Sequence, residues 1–178
     1  MERIRDSIII KRPVEVVFNF LRAVEPRLRL SPSYELKAFS KLTEGPITKG
    51  TRFRITFQTG SGINEYESEV VDLRDNEFIK TRDVRGRLSL TLSVRPVPEG
   101  TLLTHEEEFI IPEGLLRKEE DVAQDWRSIF RHILHLDRVR FIDHERERRI
   151  SEIKDDLRKM LQEWLKRIKE TIEASPHV

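Results

Sequence analysis

The 178-residue sequence contains no cysteine. This absence excludes disulfide bonds, zinc sites built on thiolates and a cysteine nucleophile. The sequence also lacks an excess of charge of either sign, since 33 Lys and Arg residues balance 32 Asp and Glu residues. That balance gives no electrostatic reason to expect a nucleic-acid partner, but it does not exclude a small anionic ligand.

Long apolar runs are absent as well. No segment approaches the roughly 18 apolar residues that cross a bilayer, so we expect no stable membrane insertion. The charges within residues 2–6 make a signal peptide at this N-terminus unexpected. We therefore expect a soluble, cytoplasmic protein that forms a single domain over residues 1–178. Charged residues make up 37% of the chain, above the usual ~25%, which is typical of thermophilic proteins.

Two common catalytic or nucleotide-binding signatures are also missing. The sequence has no Gly-x-Ser-x-Gly motif, the turn that carries the nucleophile of many serine hydrolases. The Gly-Ser-Gly run at 60–62 lacks the Lys-Ser/Thr pair and the strand–helix context of a phosphate-binding loop. We interpret it as the tip of a hairpin.

In the stretch SIIIKRPVEVVFNFL, at 7–21, the spacing of the apolar residues changes halfway along. Its first part belongs to a strand predicted over 3–11. Pro13 suits the start of a helix, where its missing N–H costs nothing, and the apolar residues after it recur at helical spacing. Pro26 is expected to limit this helix, with a second short helix or turn at 27–33.

From residue 36 to residue 111 apolar residues recur at every second position, which predicts strands. Their turns are marked by Gly, Pro, Asn and Asp, and their short connections favour an antiparallel meander. Six strands are predicted in this part of the chain, at 36–42, 51–57, 63–73, 77–82, 86–94 and 101–111.

Residues 150–173 carry a broad one-sided apolar stripe at helical spacing, which predicts a long helix facing the core. The stripe is too broad for the narrow seam of a coiled coil. It consists of Ile150, Ile153, Leu157, Met160, Leu161, Trp164, Leu165, Ile168 and Ile172.

This order of elements resembles the START-related helix-grip superfamily (SRPBCC). That superfamily includes polyketide cyclase/dehydrases, lipid-transfer domains and proteins like the birch-pollen allergen. The matching segments are IIIKRPVEVVFNFL at 8–21, GPITKGTRF at 45–53, EGTLLTHEEEFIIP at 99–112 and LRKMLQEWLKRIKETIEA at 157–174. The resemblance covers residues 4–111 and roughly 150–174. It implies an α+β fold, in which a curved antiparallel sheet of about seven strands (order β-α-α-β6-α) wraps around a long C-terminal helix.

The resemblance further implies a cavity between the concave face of the sheet and the closing helix. Inward strand positions and the helix stripe would then line it and bind a ligand. The alternative is that these side chains fill one another's space as an ordinary core. The predicted ligand-binding residues are Phe53, Ile55, Phe57, Tyr66, Leu90, Leu92, Leu103, His105, Leu157, Leu161 and Trp164.

Polar residues on the same faces are the candidates for chemistry. His105 and Glu107 lie two apart on one predicted strand face, where they could act as an acid/base pair, with Tyr66 nearby. The alternative is that the pair is hydrated or ion-paired at an open end of the sheet. No catalytic residue is assigned beyond these three candidates.

The helical segment at 112–149 is longer than the resemblance requires. Apolar residues on several sides of it indicate burial on several sides. Intramolecular packing, a homodimer interface through 122–142, a lid or membrane-contact element, and the front part of one very long terminal helix all remain open. His132 and His135 lie one helical turn apart, but no third ligand is fixed, so we expect no metal and no cofactor.

Three functions are consistent with these sequence patterns. The first is the binding of a small hydrophobic ligand, such as a lipid, quinone, isoprenoid or polyketide, which the resemblance implies for many relatives. The second is an enzyme of the cyclase/dehydrase kind, in which the pocket shapes a polyketide and polar groups move protons. The third is a protein-interaction module that uses the 112–149 segment. We favour the first.

Overall fold

The computed structural model describes residues 1–59, 62–111 and 143–175, and the side chains of the last range from residue 146 onward. The strands are β1 (Glu2–Ile10), β2 (Glu35–Lys41), β3 (Arg52–Thr59), β4 (Gly62–Arg74), β5 (Phe78–Asp83), β6 (Leu88–Val97) and β7 (Gly100–Phe109). The helices are α1 (Val14–Arg22), α2 (Val24–Arg29) and α3 (Asp143–Ala174).

Within these residues, seven strands form one antiparallel sheet in the order β1-β7-β6-β5-β4-β3-β2. Strands β2 to β7 follow one another as a meander, which their short turns allow. The first strand joins the far edge, where Glu2 lies opposite Phe109 and Ile10 opposite Thr101. The α+β helix-grip architecture expected from the sequence is confirmed.

The alternation along the strands gives the sheet one apolar and one polar face. On β3, Phe53, Ile55 and Phe57 are buried. On the other face, Arg52 and Arg54 form ion pairs of 2.6 and 2.8 Å with Glu67 of β4. Register shifts in the β2–β3 and β4–β5 pairs are irregularities of the bulge type, which bend strands and increase their twist.

The helix α1 begins at Val14, directly after Pro13, whose φ of −59° is compatible with a helix start. Helix α2 differs from the expectation at 27–33, since it begins at Val24 and includes Pro26. A proline in the first turn of a helix removes an N–H that has no helical partner. For that reason Pro26 lies inside α2, and the chain turns earlier, at Ala23.

The closing helix α3 begins at Asp143, so residues 143–149 belong to it, whereas the sequence indicated a start near 150. Residues 112–142, which include most of the segment predicted to be an extra helical element, lie outside the described residues. The predicted stripe faces the sheet, because its large members are buried. Each such side chain contributes about 1.5–3 kcal/mol by leaving water. No helix in the described ranges is both long enough and apolar enough to cross a membrane.

Polar contacts fix the position of α3 along β1. The ammonium group of Lys154 lies 2.9 Å from the carboxylate of Glu2. At the other end, Lys169 donates to the carbonyl of Ile9 (2.8 Å) and the backbone N–H of Lys11 donates to Glu173 (2.7 Å). Contacts at both ends of β1 hold α3 across the apolar face of the sheet.

A glycine is required at position 100, the start of β7, because the backbone of β1 approaches it closely. Its φ is +138°, and a Cβ atom there would lie 2.2 Å from the carbonyl oxygen of Ile10. We expect Gly100→Ala to lower the free energy of unfolding by about 2–6 kcal/mol, through backbone strain and displacement of β1. Chemical denaturation measures this change.

Gly86→Ala is the matched control. Gly86 also has a positive φ, +70°, but no atom lies within 4 Å of its Cβ position. In this variant the free energy of unfolding should fall only by the cost of a positive φ at a residue other than glycine, about 1–2 kcal/mol. If the free energy of unfolding falls equally in the two variants, the close approach of the Ile10 backbone does not constrain Gly100.

Candidate ligand-binding cavity

A cavity lies between the apolar face of the sheet, the helix α3 and the segment that contains α2. Its volume, counted as the space open to the centres of water-sized molecules, is about 70 Å³. By this measure one water molecule needs about 10–15 Å³, so the cavity has room for several. The described residues that line it are Val24, Arg27, Leu28, Ser31, Pro32, Ser33, Tyr34, Phe53, Ile55, Phe57, Tyr66, Ser68, Thr81, Asp83, Leu88, Leu90, Glu107, Leu157, Met160, Leu161 and Trp164.

Most of the side chains predicted to bind a ligand meet at this cavity. They come from β3, β4, β6 and α3, as expected from inward strand positions that face a helix stripe. Those that line the cavity are Phe53, Ile55, Phe57, Tyr66, Leu90, Leu157, Leu161 and Trp164.

Leu92, Leu103 and His105 are placed differently. They point to the same face of the sheet, but they are not among the residues that line the cavity, and each is 0–1% exposed. Helix α1 packs against β6 and β7, the strands that carry these residues, and the ring of His105 packs against Trp164 of α3. Strand alternation identifies the residues that point to the inner face of the sheet. It does not show which of these residues are covered by a packed helix and which line a cavity.

His105 and Glu107 are adjacent, as their spacing on one strand face predicts. The Nε2 atom of His105 lies 2.9 Å from Oε1 of Glu107. Despite this short distance, neither ring nitrogen makes a hydrogen bond of acceptable geometry. The ring packs edge-on against Trp164, with 5.0 Å between the centroids. Of the two, Glu107 reaches the cavity and His105 lies behind it.

Three aromatic rings form one wall of the cavity. Phe57 lies between Tyr34 and Tyr66, with centroid distances of 5.1 and 5.8 Å. Part of each tyrosine is accessible, but burial raises the pKa of Tyr66 to about 12, and burial likewise raises the pKa of Tyr34. Both phenols therefore keep their protons at neutral pH and can donate hydrogen bonds.

Arg27 of α2 is the unexpected residue of this cavity. The residue is 3% exposed, and its Nε and Nη1 atoms have no hydrogen-bond partner. Burial lowers the pKa of Arg27 to about 10, a value that still leaves the guanidinium charged at neutral pH. Its backbone carbonyl accepts a hydrogen bond of 2.9 Å from Nε1 of Trp164, which connects α2 to α3.

Arg27, Tyr34 and the rest of the lining between Val24 and Tyr34 were not predicted from the sequence. A helix of six residues is too short for its apolar period to reveal a buried face. An arginine in such a segment looks like a solvated surface residue, since arginine is almost never fully buried without a partner. The one signal available was Pro26, which marks a helix start and not a break.

The histidines considered as metal ligands, His132 and His135, lie outside the described residues. Among the side chains that are described, no group of three or more His, Asp and Glu residues is arranged to hold a metal ion.

Comparisons with known proteins add information on the fold. No model of a known protein family matches the chain, and no curated protein matches it. Solved structures do match. The protein of unknown function SA2116 from Staphylococcus aureus is 13% identical, with a TM-score of 0.68, and the match covers 97% of this chain and 93% of that one.

Ara h 8.0201 is 11% identical, with a TM-score of 0.59, over 98% of this chain and 99% of that one. The AHSA1-like protein from Aeromonas hydrophila is 10% identical, with a TM-score of 0.56, over 99% of both chains. This chain has the helix-grip fold. The resemblance proposed from the sequence segments is thereby confirmed at the level of the fold.

The burial of Arg27 leads to a stability prediction for the ligand-free protein. We expect Arg27→Met to raise the free energy of unfolding by about 1–4 kcal/mol, because a buried charge without a partner is replaced by an apolar side chain of similar length. Urea denaturation of the wild type and the variant measures the difference.

Arg29→Met, on the same helix, is the control. Arg29 is 57% exposed and pairs with Glu25 four residues earlier. Its replacement should change stability by less than about 1 kcal/mol. A loss of stability in Arg27→Met would show that the guanidinium is satisfied in solution.

Proposed function

We propose that this protein binds a small hydrophobic ligand, such as a lipid, quinone, isoprenoid or polyketide, in the cavity between the sheet and α3. The observation that carries the proposal is the cavity itself. A closely packed core leaves few voids larger than a water molecule. Here, apolar side chains from β3, β6 and α3 surround a space several times that size.

The composition of the wall supports this function. Phe53, Ile55 and Phe57 face Leu157 and Leu161 across the cavity. A few polar groups lie among them, which is the usual character of sites that bind small organic molecules. In this conformation the volume admits only a small ligand, so a larger one would have to widen the space between α2 and α3.

An enzyme of the cyclase/dehydrase kind is the second candidate. The observation in its favour is that Glu107 and Tyr66 line the same cavity, with His105 in contact with Glu107. A proton could pass between a ligand and Glu107, but His105 could take part only through Glu107. We favour binding because the hydrogen-bonded geometry that orients a catalytic pair is not present.

The test is to fill the cavity from the sheet side. Ser68 lines it from β4 and is 7% exposed. Binding of the neutral apolar dye N-phenyl-1-naphthylamine, followed by fluorescence, should saturate at one molecule per chain in the wild type. We expect Ser68→Phe to weaken this binding at least about tenfold, since the ring takes the space of the ligand.

Glu69→Phe is the matched control, because Glu69 is the next residue of β4 and points to the opposite face. This variant should bind the dye as the wild type does. Equal binding by Ser68→Phe and Glu69→Phe would place the dye outside the cavity. The absence of saturable binding by the wild type would contradict the proposed function.

A further inference from the structure

The buried guanidinium of Arg27 is a positive charge without a counterion among the described residues. None of the ion pairs in the described part of the chain includes Arg27, and its Nε and Nη1 atoms are unbonded. A guanidinium has five N–H donors and is charged at neutral pH. Buried arginines are normally paired, so this one is a group that a ligand can satisfy.

The two carboxylates that the described residues contribute to this cavity lie beside groups other than Arg27. Asp83 accepts backbone N–H groups on both of its oxygens, from Arg85 and Arg87, each at 3.1 Å. Glu107 lies beside His105, at 2.9 Å. Neither carboxylate forms an ion pair with Arg27, although both lie at the same cavity.

Two phenols complete the polar end of the cavity. The charge of Arg27 acts on both Tyr34 and Tyr66, where it partly offsets the effect of burial on their pKa values. All three residues line the same cavity. The guanidinium of Arg27 and the hydroxyl group of Tyr66 can donate hydrogen bonds to an acceptor group of a ligand.

The part of the cavity that β3 and α3 line has the opposite character. Ile55, Phe53, Leu157 and Leu161 offer no polar side-chain atoms. A ligand that matches both parts has an apolar body and one anionic group at its end. A carboxylate suits the planar guanidinium, which binds it through two parallel hydrogen bonds. Asp83 and Glu107 would repel a doubly charged phosphate more strongly than a singly charged carboxylate.

We propose that Arg27 binds the carboxylate of an apolar carboxylic acid whose hydrocarbon part lies between β3 and α3. This inference rests on the proposed function, because it specifies the ligand of the same cavity. Arg27 then has a binding role, and its burial without a counterion among the described residues has a reason. The indole of Trp164 supports Arg27 by its hydrogen bond to the carbonyl of the same residue.

The experiment compares octanoic acid with octan-1-ol, which differ in the charged group and share an eight-carbon chain. Both are titrated at pH 7.5, by displacement of N-phenyl-1-naphthylamine, into the wild type, Arg27→Met and Arg27→Lys. We expect the wild type to bind octanoate at least about tenfold more tightly than the alcohol, which corresponds to a gain of about 1.4 kcal/mol.

Arg27→Met should lose this preference, and saturable binding of the neutral dye by the same variant reports that the cavity has formed. Arg27→Lys should keep part of the preference, since it retains the charge without the planar donor pair. Arg29→Met, on the exposed side of α2, should behave as the wild type.

The outcomes separate the two proposals. If the wild type binds octanoate and octan-1-ol equally, or Arg27→Met retains the preference, this inference is overturned and the binding of a hydrophobic ligand stands. If the wild type binds neither the dye nor either octyl compound, the proposed function fails and this inference fails with it. The comparison within the wild type remains decisive even if Arg27→Met does not fold.

Discussion

The position of α3 across the apolar face of the sheet is the constraint on which the remaining structure depends. Its stripe, from Ile153 to Ile172, is buried against the strands, and contacts with both ends of β1 fix its register. A single helix cannot cover the whole face of a seven-stranded sheet. The helix α1 fills the part over β6 and β7, and the part beneath α2 remains as a cavity.

The hydrogen bond from Trp164 to the carbonyl of Arg27 connects these features. It satisfies the indole N–H at the buried surface of α3, and it holds α2 at the edge of the cavity. The same contact fixes the backbone from which the Arg27 side chain extends. A fold that is stabilised by apolar burial thus retains the buried charge of Arg27, at a cost in stability that a bound anion would remove.

Much of the fold could be predicted from the sequence, because its signals are local and repetitive. The alternation in Phe53, Ile55 and Phe57 and the stripe through Leu157 and Leu161 each identify a buried face by periodicity alone. Strand boundaries agreed within a few residues, since Gly and Pro mark the turns. The sequence left open whether the residues before 150 belong to α3, because residues 143–149 are almost all charged and carry no apolar period.

The residues that line the cavity could be predicted only where they belong to a strand or helix face with a regular apolar period. Arg27 and Tyr34 belong to a short helix and the segment after it, where no period develops. Conversely, Leu92 and Leu103 have the pattern of inward residues, but their contacts depend on the packing of α1, which is a property of the tertiary structure. The balanced net charge of the sequence did not exclude an anionic ligand, and the buried guanidinium is the place where we propose that one binds.

The most direct test of a carboxylate site at Arg27 is a crystal structure of the protein grown with saturating octanoate. We expect electron density for one octanoate in the cavity, with its carboxylate oxygens about 2.7–2.9 Å from the guanidinium nitrogens of Arg27. Its hydrocarbon chain should lie between Ile55 and Leu161. A cavity that contains only water, with octanoate bound elsewhere or absent, would contradict the proposed role of Arg27.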